Sequence, residues 1–258
     1  MPQRASERWD AQRIAGVSGQ RFVITGANSG LGFVTARELA RAGADVTLAV
    51  RNEDKGREAA ARISGSVDVE HLDLADLSSV RRFAESTAER GPIDVLINNA
   101  GIMYVPFATT ADGFELQMGT NHLGHFALTN LLLPSITGKV VTLSSMAHRQ
   151  ADLDVEAGEP TVYLGAQPQA GRRRLPRGRR RRPPRLQRHQ PAGPLGEAAH
   201  GRRDAVCQPH GRSVRRDGRA ANALYAAVED IPGDSFVGPD GFSQMRGYPT
   251  LVSRSQAA

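Results

Sequence analysis

Cysteine, lysine and long apolar runs are scarce or missing in this sequence. Its one cysteine, Cys207, cannot form an intrachain disulfide, which favours a reducing compartment. No apolar run approaches the ~18 residues that a membrane span needs, and no charged start followed by an apolar stretch marks a secretory leader. We therefore expect a cytoplasmic protein without a membrane span.

The positive charge is concentrated in one part of the chain. Leu164–Arg219 carries sixteen arginines and three acidic residues, a local charge of +13, so that the rest of the chain carries −7 of the total of +6. The sequence pI of 10.2 would suggest a polyanionic partner if the charge were spread evenly. Here it describes an acidic protein that is interrupted by one basic block.

The first 150 residues alternate between two hydrophobic periodicities. Short runs of Val, Ile and Leu predict buried parallel strands at Arg21–Thr25, Asp45–Val50, Val67–Leu72, Ile93–Ile97 and Lys139–Leu143. Helical spacing separates them at Leu31–Ala42, Glu53–Ile63, Leu77–Glu89 and Phe114–Leu133. Gly43 is expected to end the first helix, and Asp76 or Ser78 to cap the third. The pattern predicts an α/β fold, a doubly wound parallel sheet of Rossmann type in a single domain.

A glycine-rich turn follows the first predicted strand. Glycines let the backbone turn tightly and approach a pyrophosphate, and the helix that begins there offers unpaired N–H groups to phosphate. An ordinary tight turn is the alternative interpretation. Its position in a βαβ unit favours a nucleotide site, whose predicted members are Gly26, Asn28, Ser29, Gly30, Leu31 and Gly32.

The end of the second strand indicates which nucleotide would bind. NAD sites usually carry an acidic residue there for the ribose 2′-hydroxyl, whereas this chain has Arg51 and Asn52. An arginine can pair with a 2′-phosphate, so NADP(H) is the predicted cofactor; a solvated surface arginine is the alternative. After the third strand, Asp73, followed by Leu74, is expected either to accept from the adenine amino group or to cap the next helix.

Four motifs in order resemble the short-chain dehydrogenase/reductase family: TGANSGLG from Thr25, NNAG at Asn98–Gly101, TNHLGHF around Asn121, and LSS at Leu143–Ser145. AVRN, SSMAH and DSFVGPDGFSQMRGYP are similar to its retinol-dehydrogenase-like and protochlorophyllide-reductase-like branch. The resemblance covers Trp9–Glu159 and resumes over Asn222–Val252.

This resemblance implies an NADP(H)-dependent oxidoreductase that acts on a lipophilic alcohol or carbonyl compound. It implies that Asn121 holds a water of the proton relay and that Ser145 bonds the substrate oxygen. Asn99, Ala100 and Gly101 would line the cofactor. The alternatives are a buried amide at Asn121, a strand-end cap at Ser145 and a plain turn at 98–101. His122, His125 and His148 are not accompanied by a carboxylate or cysteine cluster, so we expect no metal site.

The proton-transferring tyrosine of the family has a lysine four residues later, on the same helix face. That ammonium stabilises the phenolate, whose ordinary pKa is about 10. Here the only two lysines, Lys55 and Lys139, both precede Tyr163, the candidate tyrosine, and Gln167 stands at the lysine position. The sequence leaves open whether the chain is an active oxidoreductase or a non-catalytic NADP(H)-binding protein.

Three interpretations fit the Arg/Pro-rich block at 161–220. The first is a nucleic-acid-binding arm, which the lack of interleaved aromatics disfavours. The second is a disordered insertion, and the third is the product of a shifted reading frame in GC-rich DNA. The shifted frame is favoured because family-like sequence stops before the block and returns after it.

The predicted organisation is a cofactor-binding core at 1–160, the block, and a remnant of the family's substrate region at 221–258. We also expect an exposed apolar edge and face of the sheet. A homo-oligomer is compatible with the family, although its usual interface helix is disrupted.

Overall fold

The computed structural model describes residues 9–145, 216–233, 235–240 and 248–252, all within one compact unit. The Arg/Pro-rich block, except for its last residues, lies outside these ranges, as does Tyr163, so the expectations about them stay predictions. The strands are β1 Arg21–Thr25, β2 Asp45–Val50, β3 Ser66–His71, β4 Ile93–Asn98, β5 Ile136–Thr142, β6 Val237–Pro239 and β7 Pro249–Leu251. The helices are α1 Gly30–Arg41, α2 Glu53–Ala60, α3 Leu77–Glu89, α4 Leu116–Met118, α5 Gly124–Leu132 and α6 Arg216–Val228.

β1 to β5 form one parallel sheet in the order β3-β2-β1-β4-β5. β1 pairs with β2 through Thr25 opposite Ala49, and with β4 through Ile24 opposite Ile97. The chain winds outward from β1 to β3 and then crosses to the other side of β1 to add β4. The direction of winding therefore reverses between β1 and β4, at the carboxyl ends of the strands, where ligands bind in doubly wound sheets. The predicted α/β fold is confirmed.

The sheet is buried on both faces because successive strand residues point in opposite directions. Phe22 and Ile24 face a cluster that includes Leu39 of α1 and Leu224 of α6. Val23 faces a second cluster with Phe83 of α3 and with α5. Full burial of one such side chain stabilises the fold by about 1.5–3 kcal/mol. The two clusters hold the carboxyl edge of the sheet in a fixed geometry.

Most of the predicted boundaries agree with the structure. β1, β2 and α3 have the predicted ends, Gly43 follows α1 with a φ of +93°, and Asp76 rather than Ser78 caps α3 by accepting from the Ser78 amide at 2.8 Å. α2 ends at Ala60 instead of Ile63, and β5 begins at Ile136, three residues before the predicted Lys139.

The predicted regular helix over Phe114–Leu133 is wrong in its start and in its middle. The helix begins at Leu116, and Gly119–Leu123 is a π-helical turn. Such turns add a residue to one turn of an α-helix and are frequent at functional sites. This one contains Asn121, whose side chain bonds the backbone of Ile102 from another part of the chain.

The prediction of an exposed apolar sheet face is wrong where α6 packs. This helix begins inside the block predicted at 161–220, and its Ala220, Leu224 and Ala227 are buried in the cluster that also contains Val141 of β5. The Lys139 ammonium donates to the Glu229 carbonyl at 2.6 Å, just past the end of α6. The edge is a different case: among the described residues β5 pairs only with β4, and Val140 is 36% exposed. No helix within the described ranges has both the length and the apolar character to cross a membrane.

Candidate functional site

The turn between β1 and α1 is packed closely against the turn after β4. Gly26 has a φ of +65°, in the region that favours glycine, and its amide donates to the Ala49 carbonyl at 2.8 Å. A Cβ placed on Gly26 would lie 2.9 Å from both Cα and Cβ of Ala100, and one on Gly32 would collide with the Asn99 side-chain amide. These two glycines therefore let the two turns meet at the point where the winding of the sheet reverses.

The amino end of α1 has the form that a phosphate group requires. Ser29 is the N-cap residue in extended conformation, and its side chain makes no capping hydrogen bond, so the first amides of α1 have no side-chain cap. Gly30 is exposed with a φ of +60°, and a Cβ there would meet open space. Asn28 and Leu31 flank it, half-buried. The turn thus presents an uncapped helix amino end to open space, an arrangement that can bind an anion.

The residues after β2 and β3 lie at the same edge of the sheet, but only some of their side chains already bond nearby backbone amides. Arg51 is exposed, whereas the Asn52 side chain accepts from the Lys55 amide at 2.9 Å and caps α2. The Asp73 carboxylate accepts from the Ala75 amide at 2.9 Å, and the cap of α3 is Asp76, so the alternative that Asp73 caps this helix is wrong. The Leu74 side chain is buried.

The turn at 99–102, which connects β4 to the segment before α4, is held by the buried Thr25 hydroxyl. Its oxygen accepts from the Asn99 and Ala100 amides, both at 2.9 Å. The Asn99 side chain in turn donates to the Thr25 carbonyl at 2.7 Å. Gly101 is exposed next to this pair. The arrangement fixes the backbone that faces the glycine turn.

Asn121 holds the other end of the same turn. Its Oδ1 accepts from the Ile102 amide and its Nδ2 donates to the Ile102 carbonyl, both at 2.8 Å. Asn121 therefore satisfies backbone groups, as one of the sequence alternatives expected, and its main-chain carbonyl accepts from His125 Nδ1 at 3.0 Å. The other ring nitrogen, Nε2, lies 2.9 Å from the Thr25 hydroxyl. Burial lowers the pKa of His125, the Asn121 carbonyl opposes this shift, and nearby His122 adds to it.

Ser145 is exposed and borders a cavity of about 600 Å³. The cavity wall includes the end of β5, Asn222 and Ala223 of α6, and the segment around Phe236. Leu31 of the glycine turn also lines it, so that the cavity connects the helix amino end with the predicted substrate-binding serine. Its lining mixes apolar side chains with a few hydroxyl and amide groups, a composition typical of small-molecule sites.

An exposed apolar loop near the site was missed in the sequence. Met103, Tyr104 and Phe107 follow Gly101 and are 52%, 62% and 80% exposed, and Tyr104 has a φ of +57°. The run IMYVPF directly after NNAG was the signal that could have found them. Such exposed apolar side chains are typical of surfaces that contact an apolar ligand or partner.

Tyr163 and His148 lie outside the described residues. Of the other two histidines, His122 is exposed and His125 uses both ring nitrogens in the contacts given above. The described part of the chain contains no group of three or more His, Cys, Asp or Glu residues that could hold a metal ion.

Comparisons with known proteins agree with this geometry. The family model for short chain dehydrogenases matches residues 20–155. Retinol dehydrogenase 13 from Homo sapiens is 47% identical over 152 residues, which are 55% of this chain and 46% of the relative. Retinol dehydrogenase 12 from Bos taurus is 51% identical over 140 residues, which are 50% of this chain and 44% of the relative. The chain thus spans about half the length of the curated relatives that it matches.

A solved structure is similar over nearly the whole length. The crystal structure of an uncharacterized protein from Mycobacterium Paratuberculosis is 38% identical, with a TM-score of 0.68, and the match covers 97% of this chain and 91% of that one. The segment matched by the family model holds the glycine turn, the 99–102 turn, Asn121 and Ser145.

Proposed function

The chain belongs to the short-chain dehydrogenase family, in its retinol-dehydrogenase-like branch, and we propose that it binds NADP(H) at the carboxyl edge of its sheet. One observation carries this proposal. The exposed amino end of α1, with open space at Gly30, lies beside the crevice where Gly26 meets Ala100 and the winding of the sheet reverses. In doubly wound sheets this crevice is the position at which dinucleotides bind. The pyrophosphate would contact the amides of the glycine turn, and Asn99, Ala100 and Gly101 would line the rest of the cofactor.

The choice of NADP(H) over NAD(H) is supported by the end of β2. Ala49 is paired with Thr25 and accepts from the Gly26 amide, so Arg51, two residues later, follows the strand that borders the glycine turn. Its guanidinium is exposed and can form a bidentate pair with a 2′-phosphate. No acidic residue stands at this strand end to accept from a 2′-hydroxyl.

The family chemistry is hydride transfer between the nicotinamide, which supplies or accepts the hydride, and an alcohol or carbonyl compound. Ser145 would donate a hydrogen bond to the substrate oxygen at the mouth of the 600 Å³ cavity. The apolar residues Met103 and Phe107 favour a lipophilic substrate. These features support an oxidoreductase as the wider function of the fold.

The missing lysine supports a second candidate, a protein that binds NADP(H) without turnover. Lys139 is engaged with the Glu229 carbonyl, Lys55 belongs to α2, and no lysine follows residue 139. A tyrosine with an unassisted pKa near 10 needs about 4 kcal/mol of differential stabilisation to act as a base near neutral pH. We therefore expect cofactor binding to be retained and turnover to be slow or absent.

Two titrations test these candidates together. Addition of the full-length protein to NADPH should change the nicotinamide fluorescence and saturate, and Ser145→Ala should leave the dissociation constant unchanged. The same protein is then incubated at high concentration with NADPH and a long-chain aldehyde while the absorbance of NADPH is followed. Consumption that Ser145→Ala abolishes supports the oxidoreductase, and binding without consumption supports the non-catalytic protein. Absence of saturable binding contradicts the proposal as a whole.

The remaining expectations concern the partners and the cellular location of the protein. A nucleic-acid role of the Arg/Pro-rich block predicts steeply salt-dependent binding that is lost on deletion of Leu164–Arg219. A cytoplasmic location and a homo-oligomeric state stay predictions, the second because the segment that usually forms the family's interface overlaps this block.

A further inference from the structure

A closed circuit of hydrogen bonds surrounds the 99–102 turn, and His125 completes it. Thr25 holds the start of the turn through the Asn99 and Ala100 amides. Asn121 holds its end through two bonds to Ile102. His125 lies between these two residues, with Nε2 2.9 Å from the Thr25 hydroxyl and Nδ1 3.0 Å from the Asn121 carbonyl. Thr25 and Asn121 thus each bond the turn after β4, and the imidazole bonds the end of β1 to the helix with the π-turn.

The direction of each bond follows from the capacity of the hydroxyl group. A threonine oxygen has two lone pairs and one proton, and at Thr25 the Asn99 and Ala100 amides occupy both lone pairs. The hydroxyl proton must therefore be donated to His125 Nε2, which makes Nε2 an acceptor. The ring proton then resides on Nδ1, which donates to the Asn121 carbonyl. A charged imidazolium does not fit, because it would direct an N–H at an oxygen that already accepts twice.

We infer that His125, as the neutral Nδ1–H tautomer, is a positioning residue that fixes the 99–102 turn for the cofactor. This inference rests on the proposed NADP(H) site and deepens it. Ala100 in this turn contacts the glycine turn at the Gly26 position, so a displacement of Ala100 changes the crevice that the dinucleotide would enter. His125 itself is 6% exposed and belongs to α5, which packs on the opposite face of the sheet from α1. It acts through its two partners rather than by touching the ligand.

The burial of His125 agrees with this assignment. Desolvation lowers its pKa, and the exposed His122 on the same helix lowers it further, while the bond to the Asn121 carbonyl acts in the opposite direction. The lowered pKa favours the neutral ring, in agreement with the directions of the two hydrogen bonds. Its two contacts can be removed one at a time, because a glutamine amide reaches the position of Nε2 and an asparagine amide that of Nδ1.

The first test is spectroscopic and uses the full-length wild-type protein without cofactor. Long-range proton–nitrogen spectra of ¹⁵N-histidine-labelled protein at pH 7.5 resolve the tautomers of the seven histidines, and the signal missing in His125→Gln identifies His125. We expect Nδ1 protonated and Nε2 bare. An Nε2–H tautomer or a doubly protonated ring overturns the inference, whether or not the cofactor binds.

The second test measures NADPH dissociation constants for paired variants. His125→Gln keeps an acceptor for Thr25, His125→Asn keeps a donor for Asn121, and His125→Phe keeps neither. Loss of one of the two bonds loosens the 99–102 turn, so we expect each amide variant to weaken NADPH binding by roughly three- to tenfold and His125→Phe by more than tenfold. The matched control is His122→Gln on the exposed side of the same helix, which should bind as the wild type does. Thr25→Ser, the conservative variant that keeps the hydroxyl, should rescue binding, whereas Thr25→Val, which also removes both amide bonds, should weaken binding at least as much as His125→Phe.

These outcomes separate the two claims. Wild-type protein that does not bind NADPH contradicts the proposed function and leaves the tautomer result to decide the circuit. Wild-type protein that binds NADPH, with His125→Gln, His125→Asn and His125→Phe all binding equally well, contradicts the positioning role alone. Equal losses in His122→Gln and His125→Gln also contradict it, because the effect would then belong to the helix and not to the imidazole.

Discussion

Substitution of Gly30 by alanine separates the strain of a glycine conformation from the loss of a ligand contact. Gly30 has a φ of +60° at the first residue of α1, and a Cβ there meets no protein atom within 4 Å. Gly16 has a φ of +72° and equally open space, but it precedes β1 and so lies at the amino edge of the sheet, opposite the site. The two positions therefore form a matched pair.

The expected stability losses are the same for both variants. An alanine forced into the left-handed region costs about 1–2 kcal/mol, which for a protein of this size lowers the melting temperature by roughly 2–8 °C. Neither variant adds a steric clash with the protein, so neither should lose more. Thermal unfolding, monitored by circular dichroism, measures this loss of stability.

The expected affinities differ. In Gly30→Ala the new methyl group occupies the space outside the helix amino end, where the phosphates are proposed to lie, and NADPH binding should weaken by at least about tenfold. In Gly16→Ala the dissociation constant should stay at the wild-type value. Equal NADPH affinities for Gly30→Ala and wild type, at the expected loss of stability, would refute the placement of the phosphates at α1.

Three further predictions concern the cofactor ribose, the buried histidine and the helix packing. Arg51→Ala should weaken NADPH binding and leave NADH binding unchanged, as measured by fluorescence titration; equal losses for both would exclude a 2′-phosphate contact. Because burial lowers the pKa of His125 below the unfolded value of about 6.5, the unfolded chain binds this proton first, and stability present above pH 6.5 should fall as the pH drops below it. Urea unfolding should show a smaller fall in His125→Phe, and an identical one would contradict the assignment. Gly124→Ala should destabilise the fold by about 1–3 kcal/mol, since its Cβ would collide with the Leu74 carbonyl; an unchanged urea midpoint would contradict this packing.

The fold was predictable where local pattern and tertiary burial agree. β1 and β2 are continuous apolar runs in the interior of the sheet. Because both faces of the sheet are buried there, every position favours an apolar residue, and the ends of the two strands follow from the sequence. β5 is different because it lies at an edge of the described sheet with Thr137 and Gly138 exposed. Its first residues carry no continuous apolar signal, and the sequence placed its start three residues late.

The π-turn and the histidine circuit could not be predicted, because their causes lie far away in the chain. A period of 3.6 fits the segment from Phe114 to Leu133 well, and the extra residue at Gly119–Leu123 accompanies the bonds from Asn121 to Ile102. His125 is separated by one hundred residues from Thr25, and no spacing rule connects them. The histidines of TNHLGHF raised only the question of a metal, whereas the hydroxyl that orients His125 is visible in three dimensions alone.

The candidate site was predicted as a set of residues at strand ends. Because the strands are parallel, their carboxyl ends lie at one edge of the sheet, which brings these residues to the same edge. The glycine turn and the 99–102 turn were identified from sequence, and the structure adds the contact between them at Gly26 and Ala100. Asn52 and Asp73 were expected at the cofactor, and both have side-chain oxygens engaged in local caps and turns. Such short polar side chains serve backbone amides at helix starts as readily as they serve ligands, so sequence cannot separate the two uses.

The most direct test of the account is the binding of the two dinucleotides to the full-length wild-type protein. Isothermal titration at pH 7.5 and low salt should give one site per chain for NADPH, and an affinity for NADH that is at least about tenfold weaker because it lacks the 2′-phosphate. Raising the salt concentration should reduce this difference, since an exposed guanidinium–phosphate pair is screened. Failure of both dinucleotides to bind to folded protein, or a preference for NADH, would contradict the proposed NADP(H) site.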